Sequence, residues 1–416
     1  MKKVWKSEEL GDLCDIQLGG TPPRKVSRYW DECKKTGNVW LSIADIPKAT
    51  FSSIVTSKEY LSDDGAEKVR LVKKGTLLFS FKLSIGRVCF AGCDLRTNEA
   101  IAALTLKASQ QVDKKYLAWF LWGQDWDEIA ADDEKLKGKT LNKAKLKKVP
   151  VIVPPLSEQK RIVAILDEAF AGIDTAIANT EKNLANAREL FESYLSSVFN
   201  QRGEGWAALT LREVCKDYGR GKSKHRPRND PKLFGGKYPF IQTGDVRNSD
   251  HLIMQYSTTY NESGLAQSKL WPKGTICITI AANIAETGIL NFDACFPDSI
   301  IGLVIDETKV SKIYVEFLLQ SVRNILKAKG KGSAQDNINL ATFENERFPF
   351  PPLKDQLEFV ERLQEIRLAV RQLESIYQQK LAALAELKQS LLQKAFSGEL
   401  TADAADAVET VETELA

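Results

Sequence analysis

The chain has 416 residues, of which 43% are apolar and 27% charged, and its formal net charge is +3. Such a composition suits a globular protein with a substantial core, and the length implies two or three domains. It excludes binding to a polyanion by bulk charge alone, and no apolar run approaches the ~18 residues a membrane-spanning helix needs.

In chain order, MKKVWKSEEL opens with lysines but has no apolar stretch behind them, so it does not read as a signal peptide. A basic Gly/Pro loop follows, GGTPPRKVSR (19–28), with Arg24, Lys25 and Arg28. Strand-like segments come next: NVWLSIADI (38–46), VKKGTLLFSF (72–81) and TNEAIAAL (97–104). KLKGKTLNKAKLKK (135–148) then brings seven lysines, and PPLSEQKRIVAIL starts at Pro154. The series now repeats. RGKSKHRPR (220–228) is a second basic loop; YPFIQTGDV (238–246), WPKGTICITI (271–280) and PDSIIGLV (297–304) answer the three strand-like segments. KAKGKGSAQDN (327–337) precedes PPLKDQLEFVERL, which starts at Pro351 and shares six of thirteen residues with its counterpart. A repeat of this length governs the reading of the whole fold.

After each Pro-Pro the chain runs for about 40 residues with one glycine, Gly172, and a seven-residue apolar spacing. In the first copy one row is Leu166, Ile173, Thr180, Ala187 and Tyr194; another is Ile162, Ala169 and Ala176, continued after a shift by Leu184, Phe191 and Val198. In the second the rows are Leu363, Val370, Tyr377, Leu384 and Leu391, and Phe359, Ile366, Leu373 and Leu387, broken by Lys380. Heptads of this kind predict two long helices that pair as a coiled coil. Each would be about 65 Å long at ~1.5 Å per residue. The expected fold class is mixed α/β (α+β): two globules of matching sequence and two long antiparallel helices, in a pseudo-two-fold internal repeat. The expected boundaries are 1–153 and 202–350 for the globules, 154–201 and 351–398 for the helices, and 399–416 for an acidic tail expected to lack order.

A search for catalytic machinery gives little. GKT (138–140) and GKS (221–223) lack the earlier glycine of a phosphate-binding loop, where Asp133 and Lys216 stand instead. NDPK (229–232) is not the Asn/Asp-Pro-Pro-aromatic string of amino-methyltransferases. PDSIIGLVIDETK (297–309) fits a loose nuclease pattern, with Asp298 and Glu307 as metal ligands and Lys309 beside them; a strand ending in a charged turn is the simpler reading. The only histidines, His225 and His251, have no nucleophile arranged around them. Seven scattered cysteines point to buried thiols in a reducing compartment, and Cys89 with Cys93 has no metal-site spacing. Basic loops at equivalent places in both copies carry more information. Lysine and arginine beside serine, threonine, asparagine and glutamine can hold phosphates and read base edges.

With the duplicated Pro-Pro-Leu-x-(Glu/Asp)-Gln at 154–159 and 351–356, LGGTPPR (18–24), SFKLSIGRV (80–88) and AFSGEL (395–400), the chain resembles the specificity subunits of type I restriction–modification systems over essentially its whole length. The resemblance implies two target-recognition domains, at 1–153 and 202–350, each binding half of a bipartite asymmetric site in double-stranded DNA. It implies that the helices set the spacer and dock two modification subunits and two restriction subunits. The chain itself would be non-catalytic and bind no cofactor. S-adenosylmethionine would belong to the modification subunit, an adenine methyltransferase, and ATP and Mg²⁺ to the restriction subunit. Such a complex is cytoplasmic and nucleoid-associated, with no membrane partner. The base-reading candidates in the first copy are Thr21, Arg24, Lys25, Lys82, Ser84, Arg87, Lys137 and Lys139. In the second they are Lys222, Lys224, Arg226, Asn283, Lys329, Lys331 and Gln335. The candidates for docking and helix pairing are Pro155, Leu156, Gln159, Leu166 and Ile173, then Pro352, Leu353, Gln356, Leu363, Val370, Tyr377 and Leu384.

Overall fold

A computed structural model describes residues 5–48, 51–130, 134–135, 138–139, 141–200, 203–225, 227–281, 284–323 and 346–402, with backbone alone at 134–135 and 138–139. It divides into two units: residues 1–179 with 380–416, and residues 180–379.

The first unit is built on β1 (Cys14–Leu18), β2 (Ser53–Ile54), β3 (Leu77–Ser80), β4 (Val88–Ala91) and β5 (Ile101–Leu106), in spatial order β1-β5-β3-β4-β2. The central strands β3 and β5 are apolar runs buried on both faces, the pattern of a sheet covered on both sides. A three-stranded sheet (59–60, 39–41, 96–97) shares a core with it, through Val39 and Leu41 against Leu78 and Ile101. Helix α1 (Lys114–Trp122) is capped by Asp113, whose carboxylate accepts from the backbone N–H of Lys115 and Tyr116. Its side chains from Tyr116 to Leu121 are buried in the core shared with β3 and β5.

The second unit repeats this plan. Strands β6 (Cys215–Arg220), β7 (Leu252–Ile253), β8 (Ile276–Thr279), β9 (Thr287–Leu290) and β10 (Ile300–Ile305) stand in the order β6-β10-β8-β9-β7, the same permutation. Helix α3 (Lys312–Ser321) takes the place of α1. The Lys-Gly-Thr strings sit at equivalent turns. Gly75 and Gly274 both have φ near +80 to +90° (80° and 88°), and Thr76 and Thr275 donate to the carbonyls of Lys73 and Pro272.

Helices α2 (Leu156–Asn200) and α4 (Leu353–Ser397) each have 45 residues. Within the first unit Asp174 pairs with Lys388 and Glu158 accepts from Thr401, so the two stretches run antiparallel there. Within the second, Arg188 donates to Glu374 (2.6 Å), and Leu195 and Phe199 share a core with Val360 and Leu363. The heptad row Leu166, Ile173, Thr180 and Ala187 is buried, as are Leu363 and Val370. Tyr377 and Leu384 are half-buried. The second row of α4 departs from expectation: Leu373 is 39% and Leu387 45% exposed, and Leu353, at the helix start, is 36% exposed. A period in the sequence marks the centre of an apolar stripe but not how wide a face its partner covers. Of the tail, Leu400 packs on the first unit's core and Thr401 is held by Glu158, whereas 403–416 lies outside the described residues.

The repeated glutamines correct one expectation. Gln159 and Gln356 are 0% and 1% exposed, so neither offers a surface for docking. The carbonyl of Gln159 accepts from the backbone N–H of Asp113 (2.7 Å) while its amide donates to the carbonyls of Pro154 and Gln111. Gln356 does the same with Ser311 N–H (2.8 Å) and Pro351 O (2.8 Å). Each glutamine ties its long helix to the N-terminus of α1 or α3. A second tie sits nearby, where the hydroxyls of Tyr116 and Tyr314 donate to Ile152 O and Pro349 O, both at 2.8 Å. Pro155 and Pro352 are exposed and Leu156 is half-buried.

Candidate nucleic-acid interface

Strand register gathers the first copy's basic loops at one end of its sheet. Leu18, the last residue of β1, pairs with Ala102; Ser80, the last of β3, pairs with Ile101; and Val88, the first of β4, pairs with Phe79. The loops 19–25, 81–87 and 98–100 therefore leave the sheet side by side. They are bonded to one another: Gly19 N–H donates to Ile101 O, Gly20 N–H to Thr97 O (2.8 Å), Phe81 N–H to Ala100 O (3.0 Å), and Thr21 to Glu99. A Cβ at Gly19 would collide with the carbonyl oxygens of Thr97 and Asn98, so the crossing of these two loops requires glycine. Leu141 N–H donates to Phe81 O (3.0 Å), which places the chain just after the paired backbone of 134–135 and 138–139 at the same end.

The second copy is built alike. Arg220 pairs with Ile301, Thr279 with Ile300, and Thr287 with Ile278. Gly221 N–H donates to Ile300 O (2.9 Å), and a Cβ there would strike the carbonyls of Phe296 and Pro297. Here the basic loop is braced from outside. Ser268 donates to Lys222 O (2.8 Å), His225 N–H donates to Gln267 (3.0 Å), and the His225 ring meets Asp230 at 2.9 Å. The backbone N–H of Lys232 and then the His225 contact hold the Asp230 carboxyl below the usual carboxylate range. Arg228 pairs with Asp298 at 2.9 Å.

The sequence-derived candidates divide by surroundings. Lys25, Lys222 and Lys224 are exposed on these loops; Thr21, Lys82 and Ser84 are half-buried there. Arg24 is pinned, its guanidinium 4.3 Å from the Trp30 ring and 4.6 Å from that of Trp40, and paired with Glu59. Arg87 is withdrawn from the expected set. Its guanidinium donates to Ile43 O (2.9 Å) and Ile46 O (3.1 Å), so it braces the loop from within. Lys139 has a described backbone only, in the two-residue strand Gly138–Lys139. Lys137, Arg226, Asn283, Lys329, Lys331 and Gln335 lie outside the described residues. Trp30 and Trp40, the clamp on Arg24, are not legible in the sequence, because their contacts join segments that no local pattern connects.

The nuclease-like string does not form a centre. Asp298 precedes β10 and pairs with Arg228, while Glu307 follows β10 and pairs with Lys312 (2.9 Å). Six residues of strand separate the two carboxylates by roughly 20 Å at ~3.3 Å per residue. Among the described residues, no group of three or more His, Cys, Asp or Glu side chains could hold a metal ion. Burial pushes the thiols of Cys14, Cys89 and Cys215 up to about 12, far from the thiolate form at neutral pH. Among the described residues no helix is long and apolar enough to cross a membrane.

A basic loop cluster, set by a glycine crossing at equivalent strand ends, stands on each copy of a duplicated scaffold. The chain belongs to a family: the model for the type I restriction modification DNA specificity domain matches residues 2–186 and again 203–380. A type I restriction enzyme specificity subunit of Methanocaldococcus jannaschii, MjaIX, is 21% identical over 96% of this chain and 94% of its own length. The EcoKI specificity subunit of Escherichia coli is 24% identical over 61% of this chain and 58% of its own. Among solved structures, one described as "Structural basis underlying complex assembly and conformational transition of the type I R-M system" matches 95% of this chain and 98% of its own, with TM-score 0.76 and 20% identity. The HsdS subunit from Thermoanaerobacter tengcongensis matches 95% and 97%, with TM-score 0.59 and 18% identity. This chain is thus a member of the type I specificity-subunit family, with a mixed α/β fold of two repeated domains and long connecting helices.

Proposed function

We propose that each repeat binds one half of a bipartite, asymmetric site in double-stranded DNA, through the loops at its sheet end, and that this chain performs no chemistry itself. The observation that carries the reading is the equivalence of the two loop clusters: Lys25 in one copy and Lys222 and Lys224 in the other lie on the loop after the same edge strand, and the first copy adds Lys82 after β3. Exposed lysines there supply phosphate contacts and salt-dependent affinity, and the neighbouring Thr21 and Ser84 supply hydrogen bonds to bases. Lys137, Lys139, Arg226, Asn283, Lys329, Lys331 and Gln335 belong to the same proposed set from their sequence positions. The segments 1–153 and 202–350 act as the recognition domains, and α2 and α4 set the spacer. The apolar side chains those helices leave exposed, Leu357 (55%), Leu368 (68%) and Ile376 (49%) among them, are the surface offered to modification and restriction subunits. S-adenosylmethionine and ATP with Mg²⁺ are assigned to those partners, in the cytoplasm.

The test is competition binding by the full chain with its modification partner. Affinity for a cognate duplex should exceed that for random duplex by at least ~10³-fold at physiological salt. Lys25→Ala and Lys224→Ala should each lower affinity for all duplexes and reduce the salt slope by about one. Equal affinity for every duplex would refute the reading and leave a protein scaffold.

A further inference from the structure

We infer that Leu83, at the tip of the loop joining β3 to β4, is an apolar finger that contacts bases and sets specificity in the first half-site. The inference rests on the DNA reading above and names a residue type that a search for cations passes over. Leu83 is 57% exposed and has φ of +63°. An isolated exposed leucine is ordinary, but a leucine held in the left-handed region is not. A glycine or asparagine would take that backbone with less strain.

The loop's base fixes the tip. Ser80 Oγ donates to Ser84 O (2.6 Å) and accepts from Arg87 N–H (2.9 Å), and Gly86 N–H donates to Ser80 O (3.0 Å). The Arg87 guanidinium anchors the far side on Ile43 O and Ile46 O, and Trp126 fills the space beside Gly86. Phe81, at the near side, is fully buried. A loop bonded this thoroughly keeps its tip conformation without a ligand, so the strained residue is presented rather than accommodated.

Its surroundings say to what. Lys82 precedes it, with Nζ 5.2 Å from the Phe81 ring, and Ser84 follows. Leu141, just after the paired backbone of 134–135 and 138–139, donates its N–H to Phe81 O in the same loop. Cationic neighbours take backbone phosphates while a branched apolar tip loses water against a thymine methyl or an opened base step. The corresponding positions in the second copy read Ala281, Ala282 and Asn283, of which 282–283 lie outside the described residues. No equally large apolar residue stands there, so the effect belongs to one half-site. Leu83 also borders an open groove of about 1400 Å³, whose other wall carries Asp125, Asp127 and Glu128. Those carboxylates disfavour DNA deeper in the groove, and a protein seated in it is the competing occupant.

The experiment is duplex selection from a randomised pool by the full chain with its modification subunit, comparing wild type with Leu83→Ala and Leu83→Gly. Leu83→Gly removes side chain and strain together, so it keeps the fold. Preference at one or two adjacent positions of a single half-site should fall by on the order of tenfold, with the other half unchanged. Uracil for thymine at those positions in wild type reads a methyl contact, and 2-aminopurine fluorescence reads an opened step. An unchanged motif in both variants overturns the inference, as does lost complex assembly with the motif intact, which assigns Leu83 to a protein contact. A wild-type complex with no motif at all overturns the parent reading and the inference with it.

Discussion

The two units solve one packing problem with opposite chemistry. Where α1 meets the long helices in the first unit, the seam is aromatic. Trp119 lies 4.6 Å from Phe170 and 4.7 Å from Phe51, edge to face, and Trp122 lies 5.6 Å from Phe170. In the second unit the residue 197 positions on from Phe170 is Arg367, and from Asp174 it is Arg371. Arg367 sits 5.6 Å over the Phe317 ring, and both arginines pair with Asp250. Glu316, fully buried where the first copy has Ala118, meets His251 Nδ1 at 2.5 Å and accepts from the Thr287 hydroxyl (3.0 Å). The scaffold tolerates both solutions because the ties that fix α1 and α3 run from side chains of the same type in both copies to backbone groups, made by Gln159 and Tyr116 in one copy and by Gln356 and Tyr314 in the other. Side chains at the seam are then free to diverge while the domain stays attached.

The comparison can be broken most forcefully at its aromatic side. Trp119→Ala should cost about 3–5 kcal/mol, since it empties a site shared by three other rings. Hydrogen exchange should show the loss in the first unit and change little with salt. At the polar side, Glu316→Ala should cost about 3 kcal/mol by stranding His251 and Thr287. Adding His251→Phe should recover part of that, because an apolar replacement of both partners removes the desolvation problem. If the double variant is no better than the single, the pair is not the unit of stability there. Gln159→Ala and Gln356→Ala should each cost about 1–3 kcal/mol and by similar amounts, measured by urea unfolding. Unequal costs would mean the ties are not equivalent. The smallest effect is with acid. Lys73 holds the carboxyl of Asp94 below its usual range, and the Lys232 N–H does so for Asp230. A folded pKa below the unfolded one contributes stability at neutral pH that is lost as pH falls below about 4. Both units should therefore weaken together there, whereas Asp94→Asn should remove only the first unit's share.

Much of this was legible in the sequence, and the reasons for the rest are specific. The repeat and the heptad row from Leu166 to Ala187 can be read because helix periodicity is local. The glycines of the Lys-Gly-Thr turns can be read for the same reason. The role of Gln159, expected in docking or helix pairing, is hidden because its partners lie 46 and 48 residues away. Arg24 and Arg87 look like free cations until Trp40 and Ile43 are brought to them by strand pairing. The loops could be located from charge, but which cations face outward depends on contacts between segments that only the fold brings together.

The central claim is that two equivalent loop clusters read two half-sites at a fixed separation. Its most direct measurement is to co-express the full chain with the modification subunit and map methylated adenines across the host genome. The account predicts methylation confined to one bipartite motif with a constant gap. Methylation scattered without a motif, or a motif whose gap varies from site to site, would contradict it.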